Sequence, residues 1–271
     1  SNGKSSAGIR AFHNSFLKGP VAGKASASGT TSLTADFKRT GDAVSTEGLV
    51  SYRNSYTGFF GYPEGTLMKR DTLAQAWNTL SMGLNFSNTR KSDYNFRLET
   101  GLSHLWDKIG ASETEVKTDF KSSLALSKKS GLELDASYVL ISRKDTEAEP
   151  LPRHLFRGTL AYLFNPRNDL KFEAGARFAY ENDILVKNAF HLYPLVNMTW
   201  SVIPRVTVTA SLSGDMEKVS LHTLSAQNMW LGSNVALSHA NNLINVDAAV
   251  RAAAAPGLSL FAGVRYGVYS N

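Results

Sequence analysis

The sequence lacks several features that define common protein classes. It contains no cysteine, which excludes disulfide frameworks, thiol nucleophiles and cysteine-ligated metals. It also has no apolar run near the roughly 20 residues that a transmembrane helix requires. Apolar stripes at helical period extend for about two turns at most, in the short segments Leu73–Leu80 and Ser220–Leu231. The sequence therefore favours a fold without long helices.

Signals for catalysis, metals and nucleic acid are also absent. The net charge is +6, but the basic residues are scattered singly and form no nucleic-acid-binding patch. No pair of the six histidines has a metal-ligand spacing on a helix, and we expect neither a metal nor a cofactor. Ser103 and His104 are adjacent and point to opposite faces of a strand, while His13 and Ser15 lack a third orienting group. We therefore expect no catalytic residues and no enzyme.

Alternation of apolar and polar residues is the strongest pattern that is present. Residues 170–181 and 206–213 alternate in this way, as do residues 79–86, 96–103 and 132–140. A period of two indicates extended strands with one apolar and one polar face. The short turns lie near residues 90, 129, 167 and 204, and longer connections separate them. Short turns that alternate with long loops are typical of outer-membrane barrels.

These patterns predict an all-β fold, an antiparallel up-and-down transmembrane β-barrel of roughly 14 to 16 strands. We expect residues 1–271 to form a single barrel domain. Many such barrels end on Phe or Trp, whereas this sequence ends Tyr269-Ser270-Asn271. The domain can therefore be part of a longer barrel. The partners expected of such a protein are outer-membrane lipids and a lipoprotein or other membrane protein.

The polar face of each predicted strand carries the candidate lumen-lining residues. Their charges are mixed, which leaves two readings: a pore with rings of charge that set selectivity, or a filled interior in which the charges pair across strands. The candidates are Arg97, Glu99, Lys117, Asp119, Glu133, Asp135, Lys171, Glu173, Arg177, Asp247, Arg251 and Arg265.

Aromatic residues near the strand ends predict the two girdles that flank the apolar band of a membrane barrel. They include Trp77, Trp106, Tyr138, Tyr162, Phe164, Tyr180, Tyr193, Trp200, Tyr266 and Tyr269. A second group of aromatics falls in predicted loops, where it can bind a ligand. This group consists of Phe59, Phe60, Tyr62 and Trp230.

The loop Gly58-Phe59-Phe60-Gly61-Tyr62 and the segment Leu80-Ser81-Met82-Gly83-Leu84-Asn85-Phe86 resemble TonB-dependent-receptor-like barrels of the Bacteroidota. The resemblance implies a Gram-negative outer-membrane barrel. Receptors of that family also carry a plug domain and a TonB box, and neither is recognisable here. The resemblance therefore implies a barrel without a plug, and it assigns no functional residue.

Three functions fit the sequence. The first is a channel or receptor-like transporter for small polar solutes, with an open lumen lined by the charged set. The second is a structural or assembly barrel that docks a lipoprotein or secretion partner. The third is a soluble β-sandwich binding module, which requires a second sheet to cover the apolar faces.

Overall fold

Strands form almost all of the ordered architecture. The computed structural model describes residues 4–16, 27–58, 74–90, 92–145, 151–183, 189–232, 234–255 and 257–270. Each strand pairs antiparallel with the next one, so that one sheet runs in sequence order. The strands are β1 (Lys4–Phe16), β2 (Ser28–Thr40), β3 (Val44–Gly58), β4 (Ala74–Asn88), β5 (Tyr94–Asp107), β6 (Ser112–Ser127), β7 (Ser130–Lys144), β8 (Leu151–Arg167), β9 (Leu170–Glu181), β10 (Phe190–Ile203), β11 (Val206–Glu217), β12 (Ala240–Ala255) and β13 (Leu258–Ser270).

This arrangement confirms the predicted all-β, antiparallel, up-and-down order. Thirteen strands lie within the described residues, whereas the prediction of roughly 14 to 16 concerns the whole chain. The β-sandwich alternative is wrong, because all the described strands belong to one sheet and no second sheet covers it. The prediction of a single domain, complete or part of a longer barrel, stays a prediction.

The described residues contain one α-helix, α1 (Leu221–Gln227), inside the predicted helical segment Ser220–Leu231. The other predicted helix, Leu73–Leu80, is wrong, because its residues from Ala74 onward belong to β4. Trp77 pairs there with Ser55 on one side and Asp107 on the other. Pairing with two neighbouring strands outweighs a weak local helix preference. The described helix is too short to cross a membrane.

Short and long connections alternate as predicted except at one point, where residues 89–93 form a longer connection than residues 108–111. At one end of the sheet, the turn end, the strands are joined by residues 41–43, 89–93, 128–129, 168–169, 204–205 and 256–257. At the opposite end, the loop end, the connections are residues 17–27, 59–73, 108–111, 145–150, 182–189 and 218–239.

The two faces of the sheet differ sharply in charge. From β4 to β10 the even-numbered positions form one face, and Lys144 at the end of β7 is the only Asp, Glu, Lys or Arg among them. Arg167 at the end of β8 also pairs with this face, opposite Leu170, because a register shift precedes it. Large apolar side chains of this outer face are solvent-exposed, with Leu160 at 56% and Leu134 at 45%. Contiguous exposed apolar surface of this extent marks a lipid or protein contact. The odd-numbered positions form the inner face, which carries the charged residues.

Aromatic side chains of the outer face form a row near each end of the strands. Ring pairs stack within the rows, as between Tyr162 and Phe164 at the turn end and between Phe178 and Phe190 at the loop end. Phe156 and Phe164 are eight residues apart on β8, which is about 26 Å along a strand. Because barrel strands are tilted by about 40°, this corresponds to a height of about 20 Å, somewhat less than an apolar band about 25 Å tall. Two residues predicted for the girdles, Trp77 and Tyr193, instead occupy odd positions and are buried on the inner face.

The first and last strands leave two open edges. In the described part of the chain, β1 pairs only with β2, and β13 pairs only with β12. Both strands run from the turn end to the loop end, because an even number of reversals separates them. Direct pairing of these edges would therefore be parallel. A fully antiparallel closure requires an odd number of further strands between them.

Charge placed on the outer face should therefore destabilise the folded protein in a bilayer. Val246 lies on the outer face of β12, while its neighbour Asn245 points inward and donates to Asp247 at 2.8 Å. We expect Val246→Arg to lower the unfolding free energy by about 2–4 kcal/mol, measured by urea titration in lipid vesicles. Asn245→Arg is the matched control, and equal losses in both variants would contradict the assignment of the faces.

Candidate functional site: the inner face and segment 218–239

Ion pairs cover much of the inner face. They connect neighbouring strands, as between Lys38 and Glu47 at 2.6 Å, or residues two apart on one strand, as between Lys117 and Asp119 at 2.5 Å. The further pairs of the strands are Arg10–Asp36, Arg97–Glu99, Lys121–Asp135, Arg157–Asp215 and Arg265–Asp247. The mixed charges that the sequence predicts for the interior are thus largely compensated.

Several cavities open on this face, and two of them exceed about 500 Å³. The central cavity, about 510 Å³, lies against β5–β9 and β11 and is lined by side chains that include Arg97, Lys117, Arg157 and Arg177. The second cavity, about 560 Å³, lies against β1–β6 and shares Arg97 with the first. Both combine charged groups with hydroxyls and backbone, which suits a polar solute or water.

The twelve predicted lumen-lining residues all belong to the inner face by strand register. Half of them reach the central cavity, and that they line an open lumen stays a prediction. Those at the cavity are Arg97, Glu99, Lys117, Asp119, Asp135 and Arg177. Those elsewhere on the face are Glu133, Lys171, Glu173, Asp247, Arg251 and Arg265.

Of the four loop aromatics predicted to bind a ligand, the structure describes only one. Phe59, Phe60 and Tyr62 lie outside the described residues. Trp230 follows α1 at the loop end and has 43% of its surface exposed. A ligand-binding role for these side chains stays a prediction.

The connection between β11 and β12, segment 218–239, folds over the inner face instead of extending away from it. Lys218 donates to both oxygens of Glu115 at 2.6 Å. The carboxylate of Glu113 accepts the backbone N–H groups of Leu221 at 2.8 Å and of His222 at 2.9 Å. Both glutamates are buried inner-face residues of β6, so the segment is fixed to the wall by charged hydrogen bonds.

More distant strands hold the rest of the segment. The indole Nε1–H of Trp77 on β4 donates to the carbonyl of Met229 at 3.1 Å. Arg143 on β7 donates to the carbonyl of Val235 at 2.6 Å, and Asp145 accepts the N–H of Asn234 at 2.8 Å. The segment therefore spans the inner face from β4 to β7 near the loop end.

The local sequence explains why the helix starts where it does. Ser220 Oγ accepts the N–H of Thr223 at 3.2 Å, and Thr223 Oγ1 accepts the N–H of Ser220 at 2.9 Å. This reciprocal capping satisfies two backbone donors at the start of a helix. Leu221 is fully buried against Trp77 and Leu105 of the wall. Capping and burial together hold the first turn of α1 against the wall, where its backbone N–H groups contact Glu113.

A buried ionic cluster connects the two ends of the segment. Arg153 on β8 donates to both oxygens of Asp183, at 2.6 and 2.9 Å, and to the carbonyl of Val219 at 3.1 Å. Asp183 also accepts the N–H of His239 at 2.6 Å. The imidazole Nδ1 of His239 accepts the N–H of Val219 at 3.1 Å. One arginine, one carboxylate and one imidazole thus tie both ends of the segment together.

The protonation states in this cluster follow from burial and charge. Asp183 and His239 lie just beyond the ends of β9 and β12. Burial would raise the pKa of Asp183, but hydrogen bonds from Arg153 and from the His239 backbone outweigh it and lower that pKa. Burial, reinforced by the charge of Arg153, lowers the pKa of His239 to about 4, although Asp183 opposes the shift. His239 is therefore neutral at pH 7, as its acceptor role at Nδ1 requires.

The inward fold of segment 218–239 is the main feature that the sequence did not reveal. The sequence indicates the short helix, but the position of the helix on the wall depends on distant residues. Glu113 binds Leu221, which is 108 residues away, and Glu115 binds Lys218, which is 103 residues away. One sequence signal could have predicted this inward fold: two glutamates occupy inward positions of a strand beside a loop-end connection. Two carboxylates at a loop end require partners if they are buried.

Comparisons with known proteins place this geometry in a recognised fold. The ferric enterobactin receptor PfeA of Pseudomonas aeruginosa is similar over 94% of this chain and 45% of its own, at 10% identity and a TM-score of 0.66. The siderophore receptor PirA of Acinetobacter baumannii is similar over 92% of this chain and 45% of its own, at 9% identity and a TM-score of 0.70. The chain has the fold of an outer-membrane β-barrel. It spans less than half the length of these two receptors.

At such low identity the likeness concerns the fold alone. No protein-family model matches the sequence. No curated protein matches it either. Function must therefore be argued from the inner face and segment 218–239.

The ionic cluster predicts a dependence of stability on pH. His239 binds fewer protons in the folded state than in the unfolded state, so its contribution is complete above pH 6.5 and is lost as the pH falls towards 4. The groups that face it are Arg153, Asp183, Arg157 and Lys218. Protonation at Nδ1 would also remove the acceptor for the N–H of Val219.

We expect the wild-type protein to lose about 2 kcal/mol of unfolding free energy between pH 7 and 4.5 through this group. His239→Gln should lack this part of the loss, measured by urea unfolding in detergent at several pH values. His222→Gln on α1 is the control and should behave like the wild type. An unchanged pH slope in His239→Gln would contradict the assignment.

Proposed function

We propose that this chain forms the wall of an outer-membrane channel or receptor-like transporter for small polar solutes. The observation that carries the proposal is the contrast between the faces: the charged residues of β4–β10 point inward except Lys144 and Arg167, which lie at strand ends. An uncharged outer face suits hydrocarbon, and a charged inner face suits water. The proposed location is the bacterial outer membrane, with the turn end periplasmic and the loop end outside.

Segment 218–239 narrows the outer mouth in this proposal. It contacts the inner wall from β4 to β8 near the loop end. A solute that enters from outside must pass beside it. The cluster of Val139, Ile141, Leu155, Ala179, Tyr193 and Met216 packs on the same side of the inner face.

An assembly barrel that docks a lipoprotein or secretion partner is the alternative. It is favoured by the compensated inner face, because most cations there contact a carboxylate and segment 218–239 fills space near the mouth. It requires a blocked lumen. Conductance therefore separates the two functions.

The test is conductance of the protein in planar bilayers. We expect small, stable steps from the wild type. Replacement of residues 221–237 by a short Gly-Ser linker should raise the conductance at least about threefold, because it removes the constriction that segment 218–239 forms. Trp230→Ala is the control, because it changes an exposed side chain and leaves the anchors in place.

Heat-modifiable gel mobility must show that each variant is folded. Folded protein that does not conduct with or without the segment would contradict the channel and favour the assembly barrel.

A further inference from the structure

Arg177 is an exception to the pairing of charges in the central cavity. Four of the cations that line the cavity contact a carboxylate: Arg97, Lys117, Lys121 and Arg157. Arg177 has none within the described residues, and its guanidinium makes only a long contact of 3.4 Å to the carbonyl of Gly214. The cavity therefore carries one uncompensated positive charge.

Arg157, which lines the same cavity, also has unused donors. Its Nε–H is buried and has no hydrogen-bond partner among the described residues. Its remaining contacts are long: 3.7 Å to Asp215, 3.4 Å to Ser137 and 3.4 Å to the carbonyl of Met216. Ordinary hydrogen bonds of this kind are about 2.9 Å, so the donors of this guanidinium are only partly satisfied.

Unsatisfied guanidinium donors in a concave site favour an anionic ligand. Guanidinium groups bind carboxylate and phosphate through two parallel hydrogen bonds, and leaving buried donors unpaired costs free energy. The four carboxylates of the cavity, Glu99, Asp119, Asp135 and Asp215, would repel a ligand with several negative charges. The charge balance therefore fits a single anionic group.

We infer that the central cavity binds a solute with one carboxylate or phosphate group, held by Arg177 and Arg157. The hydroxyls of Thr159 and Ser137, which line the same cavity, suit a hydroxylated remainder of the solute. The inference rests on the proposed function, since it names the class of solute that the transporter admits.

Gluconate, a hydroxylated monocarboxylate, is the probe, and inorganic phosphate tests the other anionic group. Isothermal titration of the folded protein should show binding of at least one of them. Glucose and glucosamine, which are neutral and cationic, should bind at least about tenfold more weakly. Binding of the anion should weaken as salt is added.

Arg177→Gln should weaken anion binding at least about tenfold, because it removes the uncompensated charge and its fork of donors. Lys171→Gln is the matched control, since Lys171 is on the same strand and face but outside the cavity, and it should change the affinity less than about twofold. Arg177→Lys should retain part of the affinity because the charge remains.

Equal affinities of the wild type and Arg177→Gln would overturn the inference, as would equal binding of glucose. The two proposals fail separately. A protein that conducts but binds neither gluconate nor phosphate is a channel without this site. If the protein binds the anion through Arg177 but never conducts, the anion site is supported and the proposed transport is contradicted.

Discussion

Backbone hydrogen bonding between neighbouring strands is the constraint on which the rest of the structure depends. In hydrocarbon, each N–H and C=O must be paired by protein, and a sheet achieves this only through its neighbours. Thirteen strands meet this requirement along twelve antiparallel pairings. Only the outer edges of β1 and β13 remain open in the described residues, and their common direction means that only parallel pairing could join them directly.

The same pairing determines the chemistry of the two faces. Because side chains alternate along a strand, an apolar outer face leaves nearly all the charge to the inner face. Charges that are removed from water need partners, and the inner face supplies them as ion pairs, as the carboxylates that hold segment 218–239 and as the cluster around Arg153. Removing one partner of a buried pair costs about 3–5 kcal/mol, so the segment and the wall stabilise each other.

The fold was largely predictable from the sequence, because its signal is local. The alternation of residues 170–181 is visible without any knowledge of their neighbours, and the register confirms which side chains share a face. Predictions failed where distant residues decide the outcome. Residues 74–80 become a strand because β3 and β5 pair with them. Trp77 is buried because segment 218–239 covers it.

The candidate site was predictable only in part, for the same reason. The charged residues of the inner face follow from alternation, but their pairing does not. That Arg177 lacks a carboxylate depends on the positions of Glu99, Asp119, Asp135 and Asp215 on other strands. The cluster of Arg153, Asp183 and His239 joins three separate parts of the chain.

The central claim is that one face of the sheet contacts lipid and the other contacts water. The absence of cysteine makes single-cysteine substitutions the most direct test. Residues 157–164 of β8 would be replaced one at a time, and each variant would be treated in membranes with a charged, membrane-impermeant thiol reagent. Labelling is expected at positions 157, 159 and 163 and protection at the even positions, whereas position 161 is fully buried. Uniform labelling, or labelling at the even positions, would contradict the central claim.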